Sequence, residues 1–390
     1  IAHNRLAKGL IVGQVALSLA LLCGAGLFLR SLLNLMHVDI GFDDQNMMVA
    51  WVDTPGYRDD ARLRTMMSRV EESVGAIPGV RAAAFAFSAF NGMEWTDPVR
   101  VAGRLSSDHD PAVHQSVGGY QFLGAMGMRI VAGRGLTRDD TATSPKVAVI
   151  SETMARDYFP GVSPLGRKFS VGADAQWQDI EVVGVVKDAK FITVDEETKP
   201  AAFYPETQHT GFLSSIVIRY AGETGAMVSQ VRRAVASVDP GLLVTEFKPM
   251  HEIVDRSMTQ QRVLAQLSTA LAVLAALLAC VGIYGVMSYG IARRTNEFGI
   301  RMAMGAERRD VLGLVLREAI TLAGFGVACG LAIALATGHL VNGVLFGLQP
   351  RDPLAIGVAT ALMIAVALGA GWVPARRATR IDPMTALRHE

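Results

Sequence analysis

Charge and cysteine are both scarce in this chain of 390 residues. Only 19% of the residues are charged, the formal net charge is +1, and there are three cysteines. Such a small net charge gives no sign of a nucleic-acid-binding protein. Because Cys23, Cys280 and Cys329 all stand in apolar stretches, we expect neither a disulfide framework nor a thiolate metal site in the polar part of the chain.

Motifs that carry catalysis are also missing. The chain has no Gly-x-Ser-x-Gly elbow and no Gly-x-x-x-x-Gly-Lys-Ser/Thr phosphate loop. His109, His114 and His209 have no cysteine or carboxylate at metal-ligand spacing, so we interpret them as solvated loop histidines. We therefore predict no cofactor, no metal site and no enzymatic activity.

Long uncharged windows are the main feature that the sequence does have. Residues 9–29, 263–292, 319–350 and 353–375 contain no Asp, Glu, Lys or Arg. Each window reaches the ~20 residues that a helix needs to cross a bilayer. Arginine and lysine concentrate before the first window, between the second and third, and after the fourth. The positive-inside rule places these three regions and both termini in the cytoplasm, and residues 37–262 outside.

The predicted fold combines four transmembrane helices with an α+β extracytoplasmic domain. A strand at 47–52, a helix with one apolar face and a strand at 80–90 form a β-α-β unit, and the same order recurs at 215–247. The two units could pair into a split ferredoxin-like module, although common turn chemistry could produce the same order by coincidence. The residues between them predict a mostly β insertion with one short helix, Glu152–Phe159, capped by Ser151.

These patterns divide the chain into six parts. The N-terminal cytoplasmic stub and first helix take residues 1–36, the extracytoplasmic domain 37–262, the second helix 263–292, a cytoplasmic loop 293–310, the third and fourth helices 311–375, and a cytoplasmic tail 376–390. Within the domain, the β-α-β halves span about 47–90 and 214–250 and the insertion about 91–213. Residues 253–266 also have a helical pattern, so we expect the second helix to continue outward as a stalk. Because the chain opens at Ile1 without Met, we interpret it as a fragment of a longer protein.

The short basic loop 293–310 allows two interpretations. On a continuous helix Arg294, Glu297 and Arg301 share one face, and the last two form an i,i+4 pair. The loop is either a solvated connector whose arginines set the topology or a docking surface for a protein. A plain connector does not need the apolar Phe298 and Met304, so the composition favours docking.

Two cytoplasmic motifs resemble those of the MacB/FtsX-like ABC-transporter permeases. They are EFGIRMAMGA at 297–306 and PARRATRIDPMTALR at 374–388. The stretches 13–19 and 27–31 resemble the first span of the duplicated, orphan-permease branch, and 127–134 and 147–152 are similar to the family as well. The resemblance implies a non-catalytic, four-span permease of the bacterial inner membrane, one half of a longer chain, in an ABC-type export or envelope-remodelling system. It also implies that a separate cytoplasmic ATPase moves the extracytoplasmic domain.

The resemblance further implies site residues and partners. The ATPase-coupling contacts would be Arg294, Glu297, Phe298, Gly299, Arg301 and Gly305, and the C-terminal cytoplasmic motif would comprise Pro374, Arg376, Arg377, Asp382 and Pro383. The partners would be a cytoplasmic ABC ATPase, a second permease copy or the other half of a duplicated permease, the lipid bilayer and a periplasmic adaptor, but no nucleic acid. An alternative function is a membrane sensor or scaffold that regulates an extracytoplasmic partner such as a cell-wall hydrolase.

Overall fold

The structure, a computed structural model, describes residues 2–53, 60–87, 89–90, 92–102, 104, 111–172, 177–209, 213, 215–294, 304, 308–338, 347 and 352–378. The helices are α1 (Ala2–Leu35), α2 (Asp60–Gly75), α3 (Phe122–Met126), α4 (Glu152–Tyr158), α5 (Thr224–Val238), α6 (Met250–Ser257), α7 (Thr259–Arg293), α8 (Arg308–Thr337) and α9 (Pro353–Ala378). The strands are β1 (Met47–Asp53), β2 (Val80–Ala86), β3 (Thr96–Asp97), β4 (Val99–Val101), β5 (Val113–Gly118), β6 (Ile130–Gly133), β7 (Val147–Ser151), β8 (Lys168–Val171), β9 (Trp177–Val186), β10 (Ala201–Pro205), β11 (Ser215–Tyr220) and β12 (Leu243–Pro249).

Four helices in the described part of the chain are long and apolar enough to cross a membrane. The apolar spans are Lys8–Leu35, Thr259–Arg293, Gly313–Thr337 and Pro353–Arg377. The shortest has 25 residues, which exceeds the ~20 that a bilayer requires. The four predicted apolar helices are therefore confirmed. All four belong to one compact unit, made of Ile1–His37 and Thr259–Glu390.

Helix α1 lies at the centre of this membrane unit. Ile11, Val15, Leu19 and Cys23 are buried on one face, in a single apolar core shared with residues of α7, α8 and α9. The spacing of these residues by three or four places them on one side of the helix. Because lipid is as apolar as the helix surfaces, the hydrophobic effect does not hold membrane helices together, and such contacts depend on close van der Waals packing.

Small residues allow that close packing at particular positions. A Cβ atom on Gly330 of α8 would lie 2.7 Å from the carbonyl oxygen of Ala16 in α1, and one on Gly326 would lie 2.5 Å from a methyl group of Val15. No atom comes within 4 Å of the corresponding position on Gly324 or Gly24. Gly326 and Gly330 of α8 therefore contact α1 closely, whereas Gly324 faces open space.

The other compact unit, Val38–Met258, is built on one mixed sheet. The strand order is β12-β1-β11-β2-β5-β10-β7-β9-β8-β4, with β3 beside β5 and β6 beside β9. The pairs β5–β10 and β7–β9 are parallel, and the other described pairs are antiparallel. The strands from the middle of the domain thus extend the same sheet beyond β2.

The main core of this unit lies on one face of the sheet. Alternate strand residues such as Met48 and Ala50 of β1 and Ile216 and Ile218 of β11 point to this face, as the two-residue period of a strand dictates. Above them, the helices α2 and α5 contribute their buried stripes, which are Met66, Met67, Val70, Val74, Met227, Val231 and Val235. Complete burial of such a side chain contributes about 1.5–3 kcal/mol to the stability of the fold. The predicted apolar faces of both helices are confirmed.

The start of α4 is set by a capping side chain. The hydroxyl oxygen of Ser151 accepts a hydrogen bond from the backbone N–H of Met154 at 3.2 Å and another from Ala201 at 3.0 Å. The first bond satisfies one of the free N–H groups of the helix. Both the helix and the Ser151 cap were predicted, and the helix ends at Tyr158, one residue before the predicted end.

The sequence patterns did not predict strand β5 or the buried environment of the histidine that it contains. This strand is buried along its whole length although it contains His114, Gln115 and Ser116. A polar strand of this kind has no hydropathy signal. The interpretation of His114 as a solvated loop residue is therefore wrong, since the side chain is fully buried and stacks on Phe191 at 4.1 Å. His209 is half-buried, and His109 lies outside the described residues.

The predicted outward continuation of the second membrane helix is interrupted. Helix α6 ends at Ser257 and α7 begins at Thr259. Met258 stands between them with backbone angles that belong to neither helix. The two compact units also divide at Met258, so residues 253–266 do not form one continuous helix.

Candidate coupling site at the helix ends

The predicted coupling loop is described only in part. Helix α7 ends at Arg293, followed by Arg294, and α8 begins at Arg308. Of the predicted ATPase contacts, Arg294 belongs to the described residues. The others, Glu297, Phe298, Gly299, Arg301 and Gly305, lie outside them.

Arg294 takes part in a cluster of charges from three different segments. A guanidinium nitrogen of Arg294 lies 3.4 Å from the carboxylate of Glu318 in α8. The other oxygen of Glu318 accepts a hydrogen bond from the ammonium group of Lys8 in α1. All three side chains are partly exposed, and an exposed ion pair contributes about 0–1 kcal/mol. The cluster therefore contributes little to the stability of the fold, but it brings the three segments together at one carboxylate. We call it the Glu318 cluster.

A cavity of about 240 Å³ opens beside the Glu318 cluster. It is bounded by Lys8 of α1, Gly290 and Arg293 of α7, and Leu314 and Glu318 of α8. The basic side chains on its walls give this space a positive character. It lies directly at the two ends of the loop 293–310.

The described part of the C-terminal motif holds the end of α9 to α7. Pro374 lies inside α9, which continues to Ala378 although proline removes one backbone hydrogen bond from the helix. Arg377 donates a hydrogen bond to the hydroxyl oxygen of Tyr284 in α7 at 3.0 Å. The guanidinium of Arg376 lies over the ring of Trp372 at 5.4 Å. Asp382 and Pro383 lie outside the described residues.

The opposite end of α1 carries a second inter-helix ion pair. Arg30 of α1 donates to the carboxylate of Asp352 at the start of α9. The same carboxylate accepts a hydrogen bond from the backbone N–H of Ala355, as an N-cap residue does. Helix α1 is thus joined to α8 near one end and to α9 near the other.

Sequence reasoning did not identify these pairs, although one signal was present. Each paired residue borders an uncharged window: Lys8 and Arg30 flank 9–29, Glu318 precedes 319–350, and Asp352 precedes 353–375. Charges at such borders indicate the topology of the helices, but they do not indicate which charges pair. Which of them meet depends on how the helices pack, since Lys8 and Glu318 are 310 residues apart.

Two family models match the chain. The FtsX-like permease C-terminal model matches residues 269–383, and the MacB-like periplasmic core domain model matches residues 9–238. The macrolide export ATP-binding/permease protein MacB of Azoarcus sp. is 28% identical over 271 residues, which is 67% of this chain and 40% of that protein. The pyoverdine export ATP-binding/permease protein PvdT of Pseudomonas putida is 28% identical over 277 residues, again 67% and 40%. The chain spans about two fifths of the length of these relatives.

Solved extracytoplasmic domains also align with this chain. The periplasmic region of MacB from Actinobacillus actinomycetemcomitans covers 56% of this chain and 95% of its own, with 16% identity and a TM-score of 0.39. The extracellular domain of the noncanonic ABC-type transporter YknZ from Gram-positive bacteria covers 51% and 100%, with 14% identity and a TM-score of 0.33. 

The family models decide the assignment. The periplasmic core model alone matches more than half of the chain, and the second model matches most of the membrane helices at its C-terminal end. With four membrane-spanning helices and a mixed-sheet periplasmic core domain, the protein is an inner-membrane protein with an extracytoplasmic domain. The resemblance found in the cytoplasmic motifs is confirmed, and the chain belongs to the MacB/FtsX-like family of ABC-type export permeases.

Proposed function

We propose that this chain is a non-catalytic permease subunit that couples ATP hydrolysis by a separate cytoplasmic ABC ATPase to movement of its extracytoplasmic domain. The observation that carries the proposal is the Glu318 cluster. It joins Arg294, at the start of the coupling loop, to α8 at the end of the loop and to Lys8 of α1. A displacement of the loop would therefore reach α1 through charged contacts. The relatives MacB and PvdT are named ATP-binding/permease proteins; for this chain we propose that the ATPase is a partner protein.

The chain connections to the domain support transmission by α1 and α7. After α1 the chain enters the domain at β1, and β12 leads through α6 into α7. Strands β1 and β12 are neighbours and pair in antiparallel register from Met48↔Pro249 to Asp53↔Leu243. Both helices are thus connected along the chain to neighbouring strands at one edge of the sheet, and we propose that movement of the helices reaches this strand pair.

The two inter-helix ion pairs support the relative directions of α1, α8 and α9 in the proposed topology, in which both termini are cytoplasmic. If α1 and α8 both run outward, Lys8 and Glu318 must lie on the cytoplasmic side. If α9 runs back inward, Asp352 at its start and Arg30 must lie on the external side. The pairs Lys8–Glu318 and Arg30–Asp352 satisfy both conditions. Labelling of single cysteines at residue 4 and residue 385 by an impermeant thiol reagent in intact cells would contradict this topology.

We also propose that β1, α2, β2, β11, α5 and β12 form a split ferredoxin-like module. Three features support it: the strand order β12-β1-β11-β2, the antiparallel pairing of these strands, and the packing of α2 against α5. In the helix pair, the hydroxyl of Ser73 donates to the carbonyl oxygen of Ala234 at 3.2 Å. An experimental structure with β1 at the sheet edge would contradict the module.

The exposed faces of the membrane helices fit the proposed bilayer and a second permease copy. Leu267, Leu271, Leu274 and Leu278 of α7 are more than half exposed and follow a spacing of three or four. This spacing forms one apolar stripe along the helix. Lipid and a second permease copy, or the other half of a duplicated permease, are the proposed contacts of this stripe.

Affinity purification from native membranes tests the coupling proposal. The wild-type chain should retain an ATPase with a phosphate-loop motif, and Glu297→Lys should lose it because the substitution reverses charge in the coupling loop. Glu252→Lys, the same reversal at an exposed position in α6, is the control and should retain the ATPase. If wild-type membranes yield no ATPase, the coupling proposal fails and the alternative function, a sensor or scaffold for an extracytoplasmic partner, takes its place.

A further inference from the structure

A cavity of about 510 Å³ lies in the extracytoplasmic domain at the point where strands β2 and β5 separate. These strands pair only at Ala86↔Gly118 among the described residues. Beyond that point, side-chain oxygens accept hydrogen bonds from backbone N–H groups of β2. The N–H of Phe85 donates to the carboxylate of Glu71 at 2.6 Å, and the N–H of Ala83 donates to the amide oxygen of Gln121 at 3.3 Å. A volume of this size matches the ~300–1,000 Å³ of small-molecule sites.

Two carboxylates on the wall of this cavity are buried. Glu71 on α2 is 7% exposed, and Glu206, directly after β10, is 6% exposed. The main chain fixes Glu206 in place, because its N–H donates to the carbonyl oxygen of Gly118 at 3.0 Å. Glu71 is similarly held by Phe85, and its carboxylate leaves no space for a side chain at Gly119. Two acidic groups are therefore built into one wall from different elements.

The second carboxylate is left without a partner. The Oε2 atom of Glu206 is buried and makes no hydrogen bond within the described part of the chain. An unsatisfied buried polar atom costs about 1–3 kcal/mol, and more when it is charged. Burial raises the pKa of Glu206 to about 7, and burial together with the charge of Glu206 raises the pKa of Glu71 well above its ordinary value. The cavity thus contains an acceptor that a donor cation would satisfy.

The other charged groups that line the cavity make no hydrogen bond to this atom. Glu72, Arg81 and Arg138 also line the cavity. Arg138 donates to the hydroxyl oxygen of Tyr120 at 2.8 Å, and its guanidinium lies 4.8 Å from the centre of that ring. A metal ion is a poor fit, since no group of three or more His, Cys, Asp or Glu side chains among the described residues could hold one, whereas Mg²⁺ and Ca²⁺ take six or more oxygen ligands.

We propose that this cavity is a binding site for a small organic molecule with a protonated amine, which donates N–H bonds to Glu206 and Glu71. The ammonium group supplies the positive charge and the donors that the two buried carboxylates require. Tyr120 and the arginines at the opening would contact the remainder of the ligand. Every residue that forms the site belongs to the unit Val38–Met258, so binding can be measured on the chain without the ATPase.

Fluorescence titration of the purified full chain in detergent tests the proposal. The probe is dansylcadaverine, which has a primary ammonium group on a flexible chain, and the neutral comparison is dansylamide. At pH 8 we expect saturable, blue-shifted binding of dansylcadaverine only. Glu206→Gln should weaken this binding about tenfold or more, since a charge-assisted hydrogen bond is lost. The matched control is Glu72→Gln, which removes an exposed carboxylate from the same cavity and should retain most of the affinity.

The pH dependence of binding gives an independent readout on the wild-type chain. Because the amine binds the ionised carboxylates, lowering the pH from 8 to 6 should weaken binding about tenfold. Calorimetry in two buffers of different ionisation enthalpy should show proton release on binding. If Glu206→Gln does not fold, Glu71→Gln provides the same comparison. Three results would overturn the proposal. They are equal binding of dansylcadaverine and dansylamide, an equal loss of affinity in Glu206→Gln and Glu72→Gln, and binding without proton release.

Discussion

Two buried titratable residues of the extracytoplasmic domain respond to pH in opposite directions. His114 is fully buried in β5, and its ring nitrogens have no hydrogen-bond partner among the residues that the structure describes. Burial lowers the pKa of His114 to about 4 and raises that of Glu206 to about 7. In both cases burial disfavours the charged form, which is the cation of histidine and the anion of glutamate. The histidine therefore destabilises the fold in acid, and the glutamate does so in alkali.

His114→Leu should reduce the loss of stability in acid. The folded-state pKa of about 4 lies below the ordinary value of 6.5, so the histidine contribution is present above pH 6.5 and is lost as the pH falls towards 4. From pH 7 to pH 5 this contribution falls by about 2 kcal/mol. Thermal unfolding at both pH values measures the difference. His251→Leu, at an exposed position in α6, should retain the wild-type dependence, and an unchanged dependence in His114→Leu would contradict the assignment.

Glu206→Gln should have the opposite effect. The folded-state pKa of about 7 lies above the ordinary value of 4.5, so the stability contribution of Glu206 is present below pH 4.5 and is lost as the pH rises through 7. In the wild type this loss reaches about 3 kcal/mol at pH 8. The variant should therefore melt at a higher temperature than the wild type at pH 8. At pH 5 the difference in melting temperature between the two should be smaller. Equal shifts at both pH values would show that Glu206 does not titrate in this range.

At the scale of elements, close approach of two membrane helices depends on particular glycines. The contact of Gly330 with Ala16 involves backbone atoms of α1, which cannot move aside as the end of a flexible side chain can. The helix itself was predictable from its uncharged window. The packing face was only partly predictable, since Gly324, Gly326 and Gly330 share one segment and the sequence does not distinguish which of them meets a neighbour.

Gly330→Ala should destabilise the membrane unit, whereas Gly324→Ala should not. The added methyl group at Gly330 would lie 2.7 Å from a carbonyl oxygen, and no atom lies within 4 Å of the one at Gly324. Overpacking of this kind costs about 1–3 kcal/mol. Thermal stability and monodispersity in detergent measure the effect, and the substitution is identical in both variants. Equal stability of the two variants would exclude the close α1–α8 contact.

At the scale of the whole molecule, the proposed function depends on a path from the coupling loop to the domain. The Glu318 cluster lies at the loop, and the chain itself connects α1 and α7 to the neighbouring strands β1 and β12. The break at Met258 between α6 and α7 is the position where that connection could bend. A rigid stalk is therefore not part of the proposed path, which instead uses two connections to one sheet edge.

Arg301→Glu should uncouple the ATPase without unfolding the permease. Charge reversal in the coupling loop should remove most of the stimulation of ATPase activity by the permease in reconstituted membranes, while thermal stability of the permease stays within about 0.5 kcal/mol of the wild type because loop substitutions rarely affect a fold. The control is Arg62→Glu, the same reversal at an exposed position of α2. Unchanged stimulation in Arg301→Glu would remove the role proposed for the loop.

The sequence by itself determined the membrane helices, the two β-α-β units and the family. Each of these depends on a local signal: an uncharged window, an apolar residue at every third or fourth position, or a contiguous motif. Only the tertiary structure decided that the polar strand β5 is buried, that Lys8 meets Glu318, and that Glu71 and Glu206 line one cavity. These contacts join residues far apart in the chain, and their burial and charge environment arise only when separate elements pack together.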